Sequence, residues 1–260
     1  MAQNNYNYQD NWKKVDDFDR QGLPKSALEN VELILITAKK ANNTNQVTKA
    51  LIYKAKYILT LEENAQLHII KEFKSEIESS VFPRKNILES ILANLYWQFF
   101  QNHRWQFYNR TKTSEKVDQD DFRTWDLETL FAEIHLHYQK SLDNGLLAQQ
   151  TDLVQFNDIL SKAGNSKTYR PSLFDFLSHN ALTFYKTTET NITKPAYAFE
   201  IDSTEYLGDH QSFSVLEFDT KDSLSLQYHA LKTYQNLVNF HKRDKKPDAC
   251  LLYTSPSPRD

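Results

Sequence analysis

The chain of 260 residues is poor in turn-forming residues, with only 4 Gly and 7 Pro. Ordinary usage is roughly 7% Gly and about 5% Pro. A sandwich or barrel with many tight turns is therefore disfavoured, and long helices are expected. A single Cys excludes an intramolecular disulfide framework and any Cys-rich zinc site. No apolar run approaches the roughly 18 residues of a membrane span, so no membrane-spanning segment is expected. An excess of either charge is missing too. Lys plus Arg is 31 and Asp plus Glu is 34, a net charge of -3, which gives no electrostatic reason to expect nucleic acid or an anionic membrane as partner. What is present is 40% hydrophobic and 13% aromatic residues. That is enough to build a core and too much for a disordered chain.

The run Cys250 to Asp260, CLLYTSPSPRD, agrees at every position with the in-frame translation of a common transposase-type sequencing adapter. We therefore expect 250–260 to be a non-native tail and fold reasoning to apply to 1–249. Without it the chain has no Cys and loses Pro256 and Pro258. At the other end, Met1-Ala2-Gln3 precedes a polar Asn/Tyr-rich stretch with no basic start and no apolar region. It fits a cytoplasmic start, or the remnant of a signal peptide read from an internal Met. Residues 1–9 are expected to be unstructured.

Apolar residues recur at helical spacing almost throughout. Trp12, Val15 and Phe18 mark a short first helix, stopped by Gly22-Leu23-Pro24. A second runs over about 24–40, with Ala27, Val31, Ile34 and Ala38 as its stripe. A third carries Val47, Leu51, Ile58 and Leu59. A fourth carries Leu67, Ile70, Phe73, Ile77 and Val81, up to the break at Pro83. The fifth is aromatic, from Leu88 through Tyr96 and Phe100, and is extended here to Tyr108. Residues 109–125 read as a polar loop with an aromatic anchor at each end. Helices follow over about 126–142, 146–162 and from Pro171 through Phe184, and the last spans about 222–242, with Leu224, Tyr228, Leu231, Val238 and His241 inward. Over 188–221, alternations such as Tyr197, Phe199, Ile201 and Phe213, Val215, Phe218 predict extended connections or a short β-hairpin. The resulting class is all-α: a helical-hairpin array over 10–187 at the scale of tetratricopeptide repeats, an irregular segment at 188–221, and a C-terminal helix in 222–249. The specific repeat signature is not met in register.

Groups able to do chemistry are few. Glu133 and His137 lie one turn apart on one helix and are the weak candidates for a metal site. His135 points elsewhere, because i and i+2 do not share a helix face, and the pattern is not the HExxH of zinc proteases. Asp16, Asp17 and Asp19, and then Asp118, Asp120 and Asp121, lack calcium-loop spacing and read as a solvated helix face and a solvated loop. His68, His229 and His241 fall beside apolar stripes as packed or boundary residues. No GxSxG, phosphate-binding Gly loop or GxGxxG occurs. No catalytic residue and no cofactor is therefore expected. The aromatic run with Trp97, Trp105 and Tyr108 could stack on single-stranded nucleic acid. The near-neutral charge favours core packing instead, with these three residues as a candidate partner surface. Asn42, Asn109 and Asn191 each begin Asn-x-Thr.

Three segments carry a resemblance: Trp12-Lys13-Lys14-Val15-Asp16, Gly22-Leu23-Pro24-Lys25-Ser26-Ala27-Leu28, and Lys49-Ala50-Leu51-Ile52-Tyr53-Lys54-Ala55-Lys56-Tyr57. Together with Tyr228–His241 they look like the N-terminal helical region of large bacterial alpha-2-macroglobulin-family proteins. The resemblance covers most of 10–245 and rests on packing and turn residues. It implies export to the cell envelope, which favours the signal-peptide reading of Met1. It also implies macroglobulin domains, often with a Cys-Gly-Glu-Gln thioester, far downstream, and a protease-trapping role for the full-length protein. The segment in hand is then expected to be a non-catalytic scaffold. Its partners are expected to be other domains of the same chain, or a protease or envelope protein. A free-standing helical-repeat module that binds a protein or peptide is the alternative, and a metal-dependent enzyme using Glu133 and His137 is a third reading.

Overall fold

The computed structural model describes residues 6–111, 116, 118–160, 166–189, 195–246 and 248–249. Among them the chain is all-helical, with twelve α-helices, short 3-10 turns and no strand beyond one isolated bridge. The expected tail 250–260 and the Asn191 sequon lie outside the described residues. The chain divides into two compact units.

The first unit holds residues up to Leu88, together with 120–122 and 156–161. Its helices are α1 (Tyr8–Arg20), α2 (Pro24–Lys40), α3 (Thr44–Leu61) and α4 (Ala65–Glu78). Each turn has a local cause. Asn7 accepts a hydrogen bond from the Asp10 N–H and so starts α1 at Tyr8, inside the stretch expected to be unstructured. Gly22 takes φ +70, which lets the chain reverse, and Pro24 opens α2. Asn42 adopts φ 49, and Asn43 caps α3 by accepting from Gln46 N. Such short turns pack successive helices side by side: α2 lies against α1 and α3, and α4 against α3. Val15, Ala27, Val31, Ile34, Ala38 and Ala50 are wholly buried. Small residues in this set bring the helix axes close.

Polar groups of this unit pair with one another. The Trp12 indole N–H donates to Gln46 Oε1 at 2.6 Å, and the Lys49 ammonium sits 4.3 Å over the Trp12 ring. Lys54 lies between Glu72 at 2.8 Å and Glu32 at 3.3 Å. Burial pulls its pKa down, but the two carboxylates outweigh it and hold the pKa up. Buried Glu76 meets Lys39 and Arg84. Leu59 and Val81, expected inside, are exposed, Val81 at 76%, and Tyr57 is buried instead. His68 is exposed and pairs with Glu62 rather than packing.

The second unit contains 89–119, 123–155 and the residues from 162 onward. α5 (Arg84–Asn102) begins in the first unit and continues into the second. It stops at Asn102, short of the expected Tyr108. The His103 ring N–H donates to the Phe99 carbonyl at 2.8 Å, and the chain restarts as α6 (Arg104–Tyr108). The described part of 109–125 is a loop, held because Arg110 donates to the Trp125 carbonyl and the Trp125 indole donates to the Asp118 carbonyl.

α7 (Leu127–Ser141) starts at Asp126, whose side chain caps Thr129 N. The helix expected at 146–162 is instead α8 (Gly145–Gln150), followed by a 3-10 turn at Leu153–Phe156. Asp152 pairs as an isolated bridge with Ser172, so this stretch cannot continue as a helix. α9 (Ser166–Tyr169) precedes α10 (Leu173–Tyr185), which opens with a full capping box between Ser172 and Asp175. In 195–221 the expected hairpin is replaced by a 3-10 turn at Thr204–Leu207 and by α11 (His210–Val215). Asp209 caps α11 by accepting from Gln211 and Ser212 N, a local signal that outweighs the alternation of Phe213 and Val215. α12 (Leu226–His241) begins later than expected. Leu224 precedes it and is 54% exposed, and the buried side runs through Ala230, Thr233, Leu237, Val238 and His241.

Candidate functional site

The second unit contains two buried charged clusters and a groove. In the first cluster, His137 donates from Nδ1 to Glu89 of α5 at 2.5 Å, and its Nε2 lies 3.4 Å from Glu133. Glu133 also receives Lys116 at 3.0 Å. Burial lowers the His137 pKa, but the two carboxylates outweigh it and raise the value. The sequence pairing of Glu133 with His137 is thus real, but it serves an ion-pair network. The two carboxylates meet different nitrogens of one ring. Among the described residues no three His, Cys, Asp or Glu side chains gather to hold a metal. Asp16, Asp17 and Asp19 sit on the outer side of α1, where Asp17 pairs with Arg20 and Asp19 with Lys56.

In the second cluster, wholly buried Asp175 receives His241 Nε2 at 2.7 Å on one oxygen. Its other oxygen receives the Ser172 N–H and hydroxyl. Asp244 takes His241 Nδ1 at 2.7 Å. The serine hydroxyl faces the aspartate rather than the histidine, so the three residues do not form a nucleophilic triad. The cluster ties the start of α10 to the end of α12.

The proposed partner surface divides. Trp97 is 5% exposed and packs against Phe100, Phe131 and Phe184 at 5.3–5.8 Å between ring centroids. It is a core residue, because its stripe on α5 faces α7 and α10. Trp105 is 80% exposed, with Tyr108 edge-on to it at 6.4 Å. Tyr108 is half-buried and donates its hydroxyl to Glu189.

The groove has a volume of about 570 Å³, within the range of small-molecule sites. One wall is the face of α7 that carries Glu128, Phe131, Ala132 and His135, spaced one helical turn apart. The other walls are residues 187–189, residues 195–199 and the approach to α12 from Lys221 to Gln227. Side chains pin these irregular segments. Asp222 accepts from Phe199 N at 3.3 Å, Gln227 accepts from Ile201 N at 3.0 Å, and Glu189 holds Arg104 as well as Tyr108. Ser225 caps α12 through Tyr228 N.

His135 is the titratable group of this wall with the largest displacement. Burial, and then the neighbouring His229, push its pKa down to about 4. Its Nδ1 lies 3.1 Å from the Tyr185 hydroxyl, and its ring centroid is 4.1 Å from that of His229. His229 in turn donates Nε2–H to the Ser223 carbonyl at 2.8 Å. With the Tyr185 hydroxyl donating to Nδ1, the His135 ring carries its proton on Nε2. Sequence reasoning set His135 aside as pointing away from Glu133 and His137, and took His229 for a boundary residue. The one signal that marks this site is the spacing of Glu128, Phe131, Ala132 and His135 along α7. The chain matches no known family model, no curated protein and no solved structure.

Proposed function

We propose that the chain is a non-catalytic helical scaffold from the N-terminal region of an exported, cell-envelope protein of the alpha-2-macroglobulin kind. The whole protein would trap or inhibit proteases, and this region would position the trap domains. One observation carries the non-catalytic part of the reading: the buried carboxylates and histidines are spent on each other. Glu89, Glu133 and His137 form one closed ion-pair network, and Asp175, His241 and Ser172 form another. A buried network of this kind orders helices and leaves neither a poised nucleophile nor an open metal position. Support for the family comes from the segments around Trp12, Gly22-Leu23-Pro24 and Lys49–Tyr57. All three are packing or turn residues of the first unit, where Trp12 bonds Gln46 and Gly22 makes the left-handed reversal.

The decisive experiment is to read the coding sequence onward from Ala249. Continuation into β-rich macroglobulin-type domains is the expected result, and an early stop codon overturns the reading. A stand-alone protein-binding module is the second reading, favoured by the exposed Trp105 beside Tyr108, since Trp and Tyr dominate interface energetics. An early stop codon would leave that reading standing.

A further inference from the structure

We infer that the groove between α7 and the approach to α12 binds a small, uncharged, largely apolar molecule that presents one hydrogen-bond acceptor to His135 Nε2–H. The lining is mainly apolar, with Phe131, Pro195, Tyr197, Phe199, Leu224 and Leu226 around the space, and this drives burial of a hydrocarbon body. Several of its polar groups already have partners. Asp222 is engaged by Phe199 N, Gln227 by Ile201 N, and Glu189 by Arg104 and Tyr108. His135 differs from these. Its Nδ1 lies 3.1 Å from the Tyr185 hydroxyl, and with the phenol as donor there Nε2–H is left for a ligand in the groove that His135 lines.

Charge selects against ions. Among the described lining residues, an anion in the groove meets Glu128, Glu189 and Asp222 against Lys221. A cation finds Asp222 engaged by Phe199 N and Glu189 by Arg104, and it meets an N–H donor at His135. A neutral ligand gains the apolar contact and one hydrogen bond, and suffers neither penalty.

Three probes with the same phenyl body separate the cases: acetophenone, benzoate and benzylammonium, titrated into the full chain at pH 7 and followed by the NMR signals of the Tyr197 and Phe199 rings that line the groove. Acetophenone is expected to shift those signals saturably. His135→Phe keeps the ring shape without the donor and should weaken binding about tenfold, the worth of one hydrogen bond. Leu224→Trp, at an exposed position outside the helices, should fill the groove and abolish binding while the far-ultraviolet spectrum stays unchanged. Absence of saturable binding overturns the inference. So does equal binding by the Leu224→Trp protein, or benzoate or benzylammonium binding as tightly as acetophenone.

Discussion

At the scale of single residues, five histidines of the second unit, His137 and His241 buried and the other three half-buried, fall into two classes set by what touches them. His135, His179 and His229 are held low, chiefly by burial, with His135 and His179 both at about 4. Neighbouring charge acts in the same direction on two of them: His229 on His135, and Arg170 and Lys186 on His179. His137 and His241 are held high by carboxylates that outweigh their burial. The two classes pull stability in opposite directions with pH. A histidine held low binds fewer protons folded than unfolded. Its contribution is complete above the ordinary value of about 6.5 and is lost as the pH falls toward 4. A histidine held high contributes fully below about 6.5, and that contribution is lost as the pH rises through its folded value. Urea midpoints should therefore peak near pH 6.5 and fall on both sides. His135→Gln should flatten the acid limb and leave the alkaline limb in place. Asp175→Ala leaves His241 buried without its main partner and uncaps α10. It should cost about 3–5 kcal/mol, read from the same midpoints, while Ser172→Ala, which removes the cap and the hydroxyl donor to Asp175, should cost about 1–2 kcal/mol.

At the scale of elements, helix boundaries were legible where the backbone demanded a particular residue. The expected bounds of the second helix match those of α2, because Gly22 supplies the positive φ and Pro24 the first turn. A Cβ at residue 22 would meet nothing within 4 Å, so the position constrains conformation and not space. Gly22→Ala should cost about 1–2 kcal/mol. Asn42→Gly, at the corresponding reversal between α2 and α3, should be neutral or slightly stabilising, since Gly adopts φ 49 freely. Parallel thermal melts of the two variants check the contrast. Boundaries set by a distant partner were not legible. The helix expected at 146–162 is cut by the bridge from Asp152 to Ser172. The fifth helix ends through a local contact instead, where His103 turns its ring onto the Phe99 carbonyl one turn back. Neither partner is announced by local propensity. The short α11 was missed for a different reason: the Asp209 cap acted against an alternating pattern that reads equally well as a strand.

At the scale of the whole molecule, α12 is the element on which the second unit depends. It supplies His241 to Asp175 and His229 to the His135 wall. It also satisfies the end of α11: Gln235 donates to the Phe213 and Leu216 carbonyls, and Asn239 donates to that of Ser214. A chain stopped after Lys221 should lose hydrogen-exchange protection in α10 and α11, beyond the amides of α12 itself. Retained protection in α10 would show that its own packing suffices.

The sequence by itself determined the all-α class, the stops at Gly22, Pro24 and Asn42–Asn43, and the apolar stripes that became the core. These follow from backbone freedom and from the period of a helix, which act within a few residues. Tertiary structure decided the rest. It placed Trp97 inside and Trp105 outside, raised the pKa values of His137 and His241, and lowered those of His135 and His229. It also closed a groove from α7, residues 187–189 and 195–199, and the approach to α12. Burial and the charge state of a histidine depend on which segments meet, and those segments lie tens of residues apart in the chain.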